Sequence, residues 1–399
     1  MTEKIYKRIL WFGVAFLAVF SPLWKGGARA WPLTIILLVS YALIFVWLWR
    51  INNFGHHKVK RTPIDIPVLL FVMLAIASSF FSIYRHDSFY GLIKLFCYVG
   101  IYYLVVNEFD REGIKRILYI VIGMGAILSI YGLLQYLNMF DHSWWNPKDF
   151  IAATFVNHNH FSGYLELAIP VTVILAIKKP SSTARRLCAF PALIIMTVVF
   201  ILAQSRGAWM SLTISFLVMA YMIAKGREGG VKKIFILVLA AIAIISLVYF
   251  GRGVISERMA DSISADPEGS SFAIRLQIWQ GAIDMIKSSP ILGAGIGTFI
   301  WGYPRYRPEG LNGLVNFAHN DYLETACDMG VPALMVMLWI IVAVIKTGIR
   351  EENLNSYRLG CAIGVLSLSI HALSDFNFHI PANMLLFTVY LAIIMKVRE

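Results

Sequence analysis

In this 399-residue chain, the residue types best suited to moving a proton stand at the edges of long apolar runs. In FAHNDYLETACDMGVPA, His319 and Asn320 precede such a run, with Asp321, Glu324 and Asp328 just inside it. Comparable polar groups occur at Asn157-His158-Asn159-His160, at Gln204-Ser205-Arg206, and at His371, Asp375 and His379. Ionisable groups at or within membrane segments are costly and default to functional candidates. A neutral imidazole is suited to taking a proton from a hydroxyl near neutral pH. A planar guanidinium held at the rim of an apolar segment suits bidentate contact with a phosphate.

Each group also has a plainer reading. Asn320 is a good helix N-cap, and Asp321 and Glu324 in a first turn complement the helix dipole; His319 is then an ordinary interfacial residue. Arg206, in AQSRGAWMSL, reads equally as a snorkelling anchor. Arg275 follows the acidic, Ser-rich DSISADPEGSS and reads as a solvated loop arginine or as the opening of a helix. Arg305 and Arg307, in WGYPRYRPEG, alternate with Tyr303 and Tyr306, which suit both an interfacial anchor and stacking on a sugar ring. His158 and His160 have no Cys or carboxylate at a familiar ligand spacing, so no metal is expected there. GAGIG at Gly293–Gly297 lacks the βαβ surroundings of a nucleotide loop. The four cysteines form no CxxC pair, which argues against a zinc site or a disulfide framework. No cofactor is implied.

The elements that must position these groups are membrane helices. Hydrophobic residues make up 58% of the chain and charged residues 15%, with a mean hydropathy of +0.69; soluble domains carry about a quarter charged residues. Runs long enough to span a bilayer lie near 9–24, 30–49, 66–83, 89–106, 115–138, 161–177, 187–204, 207–224, 232–250, 320–345, 357–373 and 382–396. The expected fold is therefore an all-α integral membrane protein of about twelve transmembrane helices. Ala28-Arg29-Ala30 mimics a signal-cleavage site, but an uncleaved first helix is expected because more spans follow. Lys and Arg concentrate in alternate loops, so the net charge of +12 reads as topology with both termini cytoplasmic, and no nucleic-acid partner is needed. Residues 251–318 interrupt the helices and are expected to form an extracytoplasmic subdomain between membrane segments 1–250 and 319–399. Within it, IRLQIWQGAIDMI places Ile274, Ile278, Ala282 and Met285 at helical spacing, the pattern of an amphipathic helix near the membrane surface.

The stretches ATFVNHNHFSGYLELAIP, AQSRGAWMSL, RLQIWQGAIDMIKSSPILGAGIGTF and HNDYLETACDMGVPA together resemble the O-antigen ligase and polymerase superfamily. The pattern departs from ligases at Ala333, where they typically place a second glycine. The resemblance implies a GT-C-like fold and a metal-independent, inverting glycosyltransferase of the bacterial inner membrane with a periplasmic active site. Its implied partners are an undecaprenyl-diphosphate-linked glycan, a lipid A-core or other glycan acceptor, and membrane lipids. It assigns Arg206 and Arg275 to the donor diphosphate and His319 to the acceptor hydroxyl as base. Asn320, His158, His160, Glu166, Arg305, Arg307 and Asp375 are supporting or substrate-binding candidates, with Glu166 expected to organise the site through hydrogen bonds. Two alternatives stay open: a polymerase joining two lipid-linked glycans, and a transporter or flippase for such lipids. A transporter would favour charges near the midplane of several spans, where Lys94 and Glu166 are the obvious ones.

Overall fold

In a hydrocarbon layer a backbone must satisfy its own hydrogen bonds, so apolar runs fold as helices. The computed structural model describes residues 3–54, 59–139, 150–177, 183–225, 271–311, 313–350 and 356–396. The first eight runs become α1 Glu3–Leu23, α2 Ala30–Phe54, α3 Asp65–Phe80, α4 Arg85–Glu108, α5 Arg111–Tyr136, α6 His158–Ile177, α7 Thr183–Leu202 and α8 Arg206–Lys225. The ninth run, 232–250, and the loop at 251–270 lie outside the described residues. The amphipathic stretch forms α9 Ser271–Ser288, and the last three runs form α10 Asp321–Gly348, α11 Tyr357–His371 and α12 Pro381–Met395. No strand occurs among the described residues. Six of these helices are long and apolar enough to cross a membrane, and shorter apolar helices accompany them. The described residues thus form an all-helical bundle with the apolar helices of a multi-pass membrane protein.

The centre of the bundle is α6, all of whose described side chains from His160 to Ile174 are buried. Its closest neighbour is α11, and Gly360 and Gly364 allow the approach. A Cβ on Gly360 would lie 2.8 Å from Val171 Cα, and one on Gly364 would lie 3.2 Å from Leu167 Cα. Small residues four apart let helix backbones meet in a membrane, where apolar burial no longer discriminates between partners. The contact leaves Ser367 and His371, further along α11, facing Glu166 of α6.

α10 is broken at Gly330, whose φ of 81° and ψ of 169° are not helical. The segment 290–297 docks on this break. Ala294 N–H donates to Cys327 O at 2.9 Å, Gly295 N–H to Asp328 O at 2.8 Å, and Val331 N–H to Pro290 O at 2.8 Å. The GAGIG glycines therefore serve close backbone approach: Gly293, Gly295 and Gly297 all have positive φ, and Gly293 packs directly on the Asp328 backbone. Helix α9 lies over the same region and buries Ile278, Ala282 and Met285 against Phe299, Tyr303, Leu311, Ala318 and Cys327. Ile274, expected on that face, is 38% exposed at its edge.

Candidate functional site

The starts of α6, α8, α10 and α12 converge with the end of α11 and with α9. Asn320 caps α10 as its residue type predicts, its Oδ1 accepting from the N–H groups of Tyr322 and Leu323 at 3.0 Å each. The preceding residue, His319, has a φ of 50°, a conformation that costs a non-glycine residue about 1–3 kcal/mol unless its surroundings impose it. Those surroundings are dense. Trp279 of α9 donates its indole N–H to Ala318 O at 3.0 Å, and Ala318 N–H donates to Glu324 Oε2 at 2.7 Å. The His319 ring meets Phe376 edge-on, with centroids 4.9 Å apart.

Asp375 is the hub. It lies in the turn between α11 and α12, is 1% exposed, and accepts the Phe376 N–H at 2.8 Å. Its Oδ1 lies 4.0 Å from His319 Nδ1 and 3.8 Å from His160 Nε2, and its Oδ2 lies 3.9 Å from an Arg275 Nη. These separations exceed hydrogen-bond reach, so the attraction is electrostatic. Burial alone would raise the Asp375 pKa, but His160, His371 and Arg275 outweigh it and hold the carboxyl well below the usual range. For His319, burial dominates and pushes the imidazole below its ordinary value, Arg275 acts the same way, and Asp375 opposes them. The ring is neutral at pH 7. The carboxylate 4.0 Å from Nδ1 favours the tautomer with the proton there, in which Nε2 is the basic nitrogen.

Arg275, on α9, donates from Nη1 to Ser374 O at 2.6 Å. A Cβ on Gly207 would lie 2.7 Å from Ser374 Oγ, so the start of α8, where Arg206 stands exposed, abuts the same turn. The two arginine positions therefore flank Ser374, one residue from Asp375. Glu166 anchors this turn from below. It is fully buried, accepts from the hydroxyls of Ser211 and Ser367, and pairs with His371 Nδ1 at 2.6 Å. A buried carboxylate is tolerable only with such partners. Asn383 links the turn to α6, donating to Asn377 Oδ1 and to His160 O at 2.9 Å each.

Of the other predicted residues, His158 contacts Ala203 O at 2.6 Å through Nδ1 and stacks on Phe150, close to the arginine turn. Arg305 and Arg307 are exposed on the short helical segment Tyr303–Tyr306 and just after it, and Arg307 donates to Gly313 O at 2.9 Å. Among the described contacts, neither joins the Asp375 cluster. Sequence reasoning missed Ser211, Ser367, Asn377 and Asn383 as parts of the site. The signal for two of them was polar residues inside apolar helices, with Gly360 and Gly364 indicating which face of α11 meets α6.

A neutral imidazole, a buried carboxylate behind it and guanidinium groups beside it can take a proton from a hydroxyl and stabilise a nearby anion. These features define a polytopic α-helical membrane protein with an ionisable site at one end of its bundle. Residues 191–338 match the family model described as O-antigen ligase. It is also similar to an uncharacterized protein of Haemophilus influenzae, 25% identical over 253 residues, which are 57% of this chain and 61% of the relative. The family match includes Arg206, Arg275 and His319, whereas Glu166, His371 and Asp375 lie outside it.

Proposed function

We propose that the protein is an inverting glycosyltransferase of the O-antigen ligase type. It moves a glycan from undecaprenyl diphosphate to a hydroxyl of a lipid A-core or related acceptor at the periplasmic face of the inner membrane. The observation that carries this reading is the placement of His319 and Arg275 around one buried carboxylate, beside the turn that carries Arg206. In the proposed step, the acceptor oxygen attacks the anomeric carbon while its proton passes to His319 Nε2. The bond from that carbon to the diphosphate oxygen breaks, and the charge that develops on the diphosphate is met by Arg206 and Arg275. Preorganised cations in a partly dehydrated site favour that charge over the ground state. Asp375 stabilises the protonated His319 and keeps its tautomer, and Glu166 with His371 holds the turn on which Asp375 sits.

The test is a transfer assay with the purified full chain in lipid, undecaprenyl-diphosphate-linked glycan and lipid A-core, with EDTA present. Wild type should form a single core-linked product, and His319→Ala should lose about 100-fold or more. A ladder of lipid-linked products would identify a polymerase instead. An intact donor with every component present would defeat the reading for this acceptor, as would His319→Ala keeping more than about a tenth of the rate.

A further inference from the structure

His379, a third histidine near the site, takes no part in the step just described, yet it has the most complete set of partners there. Its Nδ1 lies 2.9 Å from Asp321 Oδ1 and its Nε2 lies 3.0 Å from Glu324 Oε1. Both acids are buried, at 1% and 3% exposure. A neutral imidazole has one N–H, so a ring bonded to a carboxylate at each nitrogen is an imidazolium. Asp321 and Glu324 act together to push its pKa up to about 10 despite burial.

The second oxygen of each acid is also engaged, and the two connections point in opposite directions. Glu324 Oε2 accepts the N–H of Ala318, the residue before His319, at 2.7 Å. Asp321 Oδ2 accepts the N–H of Phe378 at 3.0 Å, on the segment that carries Asp375. The backbone of Asp321 closes the frame by donating to Ala372 O at 2.9 Å. Phe317 stacks on Phe376 with centroids 4.3 Å apart and touches the His379 ring at 5.0 Å. The segment at 317–319 and the segment at 375–379 thus meet through the Phe376 ring, which faces Phe317 and His319, and through the His379 ring with its two acids.

We infer that His379 is a positioning residue. Its ring, bonded to Asp321 and Glu324 at once, holds the left-handed His319 turn at its working distance from Asp375. A helix cap at Asn320 and a dipole role for the two acids would not require a ring between them, nor the backbone contacts that lead to His319 on one side and to the Asp375 segment on the other. This role rests on the glycosyltransferase reading for its catalytic meaning, although not for its structural content. A glutamine at 379 has both N–H donors on one nitrogen and offers an oxygen to the second carboxylate, so it cannot replace the clamp. An alanine leaves a ring-sized gap that free imidazole can enter, because His379 is 28% exposed.

The test uses the full chain in lipid nanodiscs, with wild type, His379→Ala and His379→Gln compared in two assays. The first is glycan transfer, with kcat and donor KM separated and with imidazole added. The second is the rate at which diethylpyrocarbonate modifies His319, read by mass spectrometry, which needs no substrate. Both variants should lose about tenfold or more in kcat with donor KM changed less than about threefold. Imidazole should restore rate to the alanine variant alone, and His319 should be modified about threefold faster or more in both. The inference is overturned if the His319 modification rate stays within about twofold of wild type in both variants. It is equally overturned if kcat falls only in step with a loss of folded protein and imidazole restores nothing. Should wild type transfer no glycan, the functional reading fails while the modification rates still decide the positioning role.

Discussion

Replacing Asp375 by Asn removes one negative charge while keeping the side chain's size and an acceptor for the Phe376 N–H. In the proposed reaction His319 changes from neutral to positive, with its Nδ1 4.0 Å from Asp375 Oδ1. Opposite unit charges at that distance attract by about 4 kcal/mol at an effective dielectric of about 20. The His319 side chain is 34% exposed, and solvent screening discounts the attraction to roughly 2–3 kcal/mol. At about 1.4 kcal/mol per factor of ten, kcat should fall about 30- to 150-fold, with donor KM little changed. The pH profile supplies the sign. Asp375 raises the His319 pKa against the larger effect of burial, so Asp375→Asn should lower it further and move the acidic limb of the kcat/KM profile to lower pH. Transfer rates measured between about pH 5 and 9 read both quantities. A kcat within about threefold of wild type, or an acidic limb displaced to higher pH, would refute the electrostatic role given to Asp375.

Three further outcomes concern stability. His379 has a pKa raised to about 10 from an ordinary 6.5, so its stabilisation is fully present below about pH 6.5 and is lost as pH rises toward 10. Melting curves from pH 7 to 10 should show a decline in wild type that is shallower in His379→Gln. Gly330→Ala would place a Cβ 2.2 Å from Ile291 O at a φ of +81°; it should cost at least about 1–3 kcal/mol and expose residues 290–297 to limited proteolysis, and an unchanged melting temperature would count against the docked break. Glu166→Gln breaks a fully buried pair with His371. Loss of one partner of such a pair costs about 3–5 kcal/mol, visible as a large drop in melting temperature or in recovered folded protein.

Hydropathy was enough to place the described helices other than α9, because apolar length is the constraint a bilayer imposes. The cap at Asn320 and the amphipathic face of α9 were legible for the same reason: each depends on neighbours within a turn or two. The break in α10 was not, since Gly330 and Pro332 read as residues inside a continuous apolar run until the segment 290–297 supplies the missing backbone partners. The partners of the site residues were also hidden. His319 gave its position at a rim away, but not that Asp375 would stand behind it. Glu166 announced that it needed a partner, yet His371 lies 205 positions later. Arg305 and Arg307 gave no local signal of their partners either: Arg307 donates to the carbonyl of Gly313, six residues further on.

The long separations within the site bear on how the protein is made. Asn383 donates to the carbonyl of His160 across 223 positions, and it belongs to α12, the last of the described helices. During synthesis α6 must enter the membrane with Glu166 before the ribosome has produced His371 or Asp375. A nascent chain at that stage holds an acid in an apolar setting with no imidazole to receive it. It also lacks the carboxylate that would direct His319. Premature termination before α11 should therefore yield a protein in which the Asp375 site is never assembled, and whose unpaired Glu166 marks it for membrane quality control.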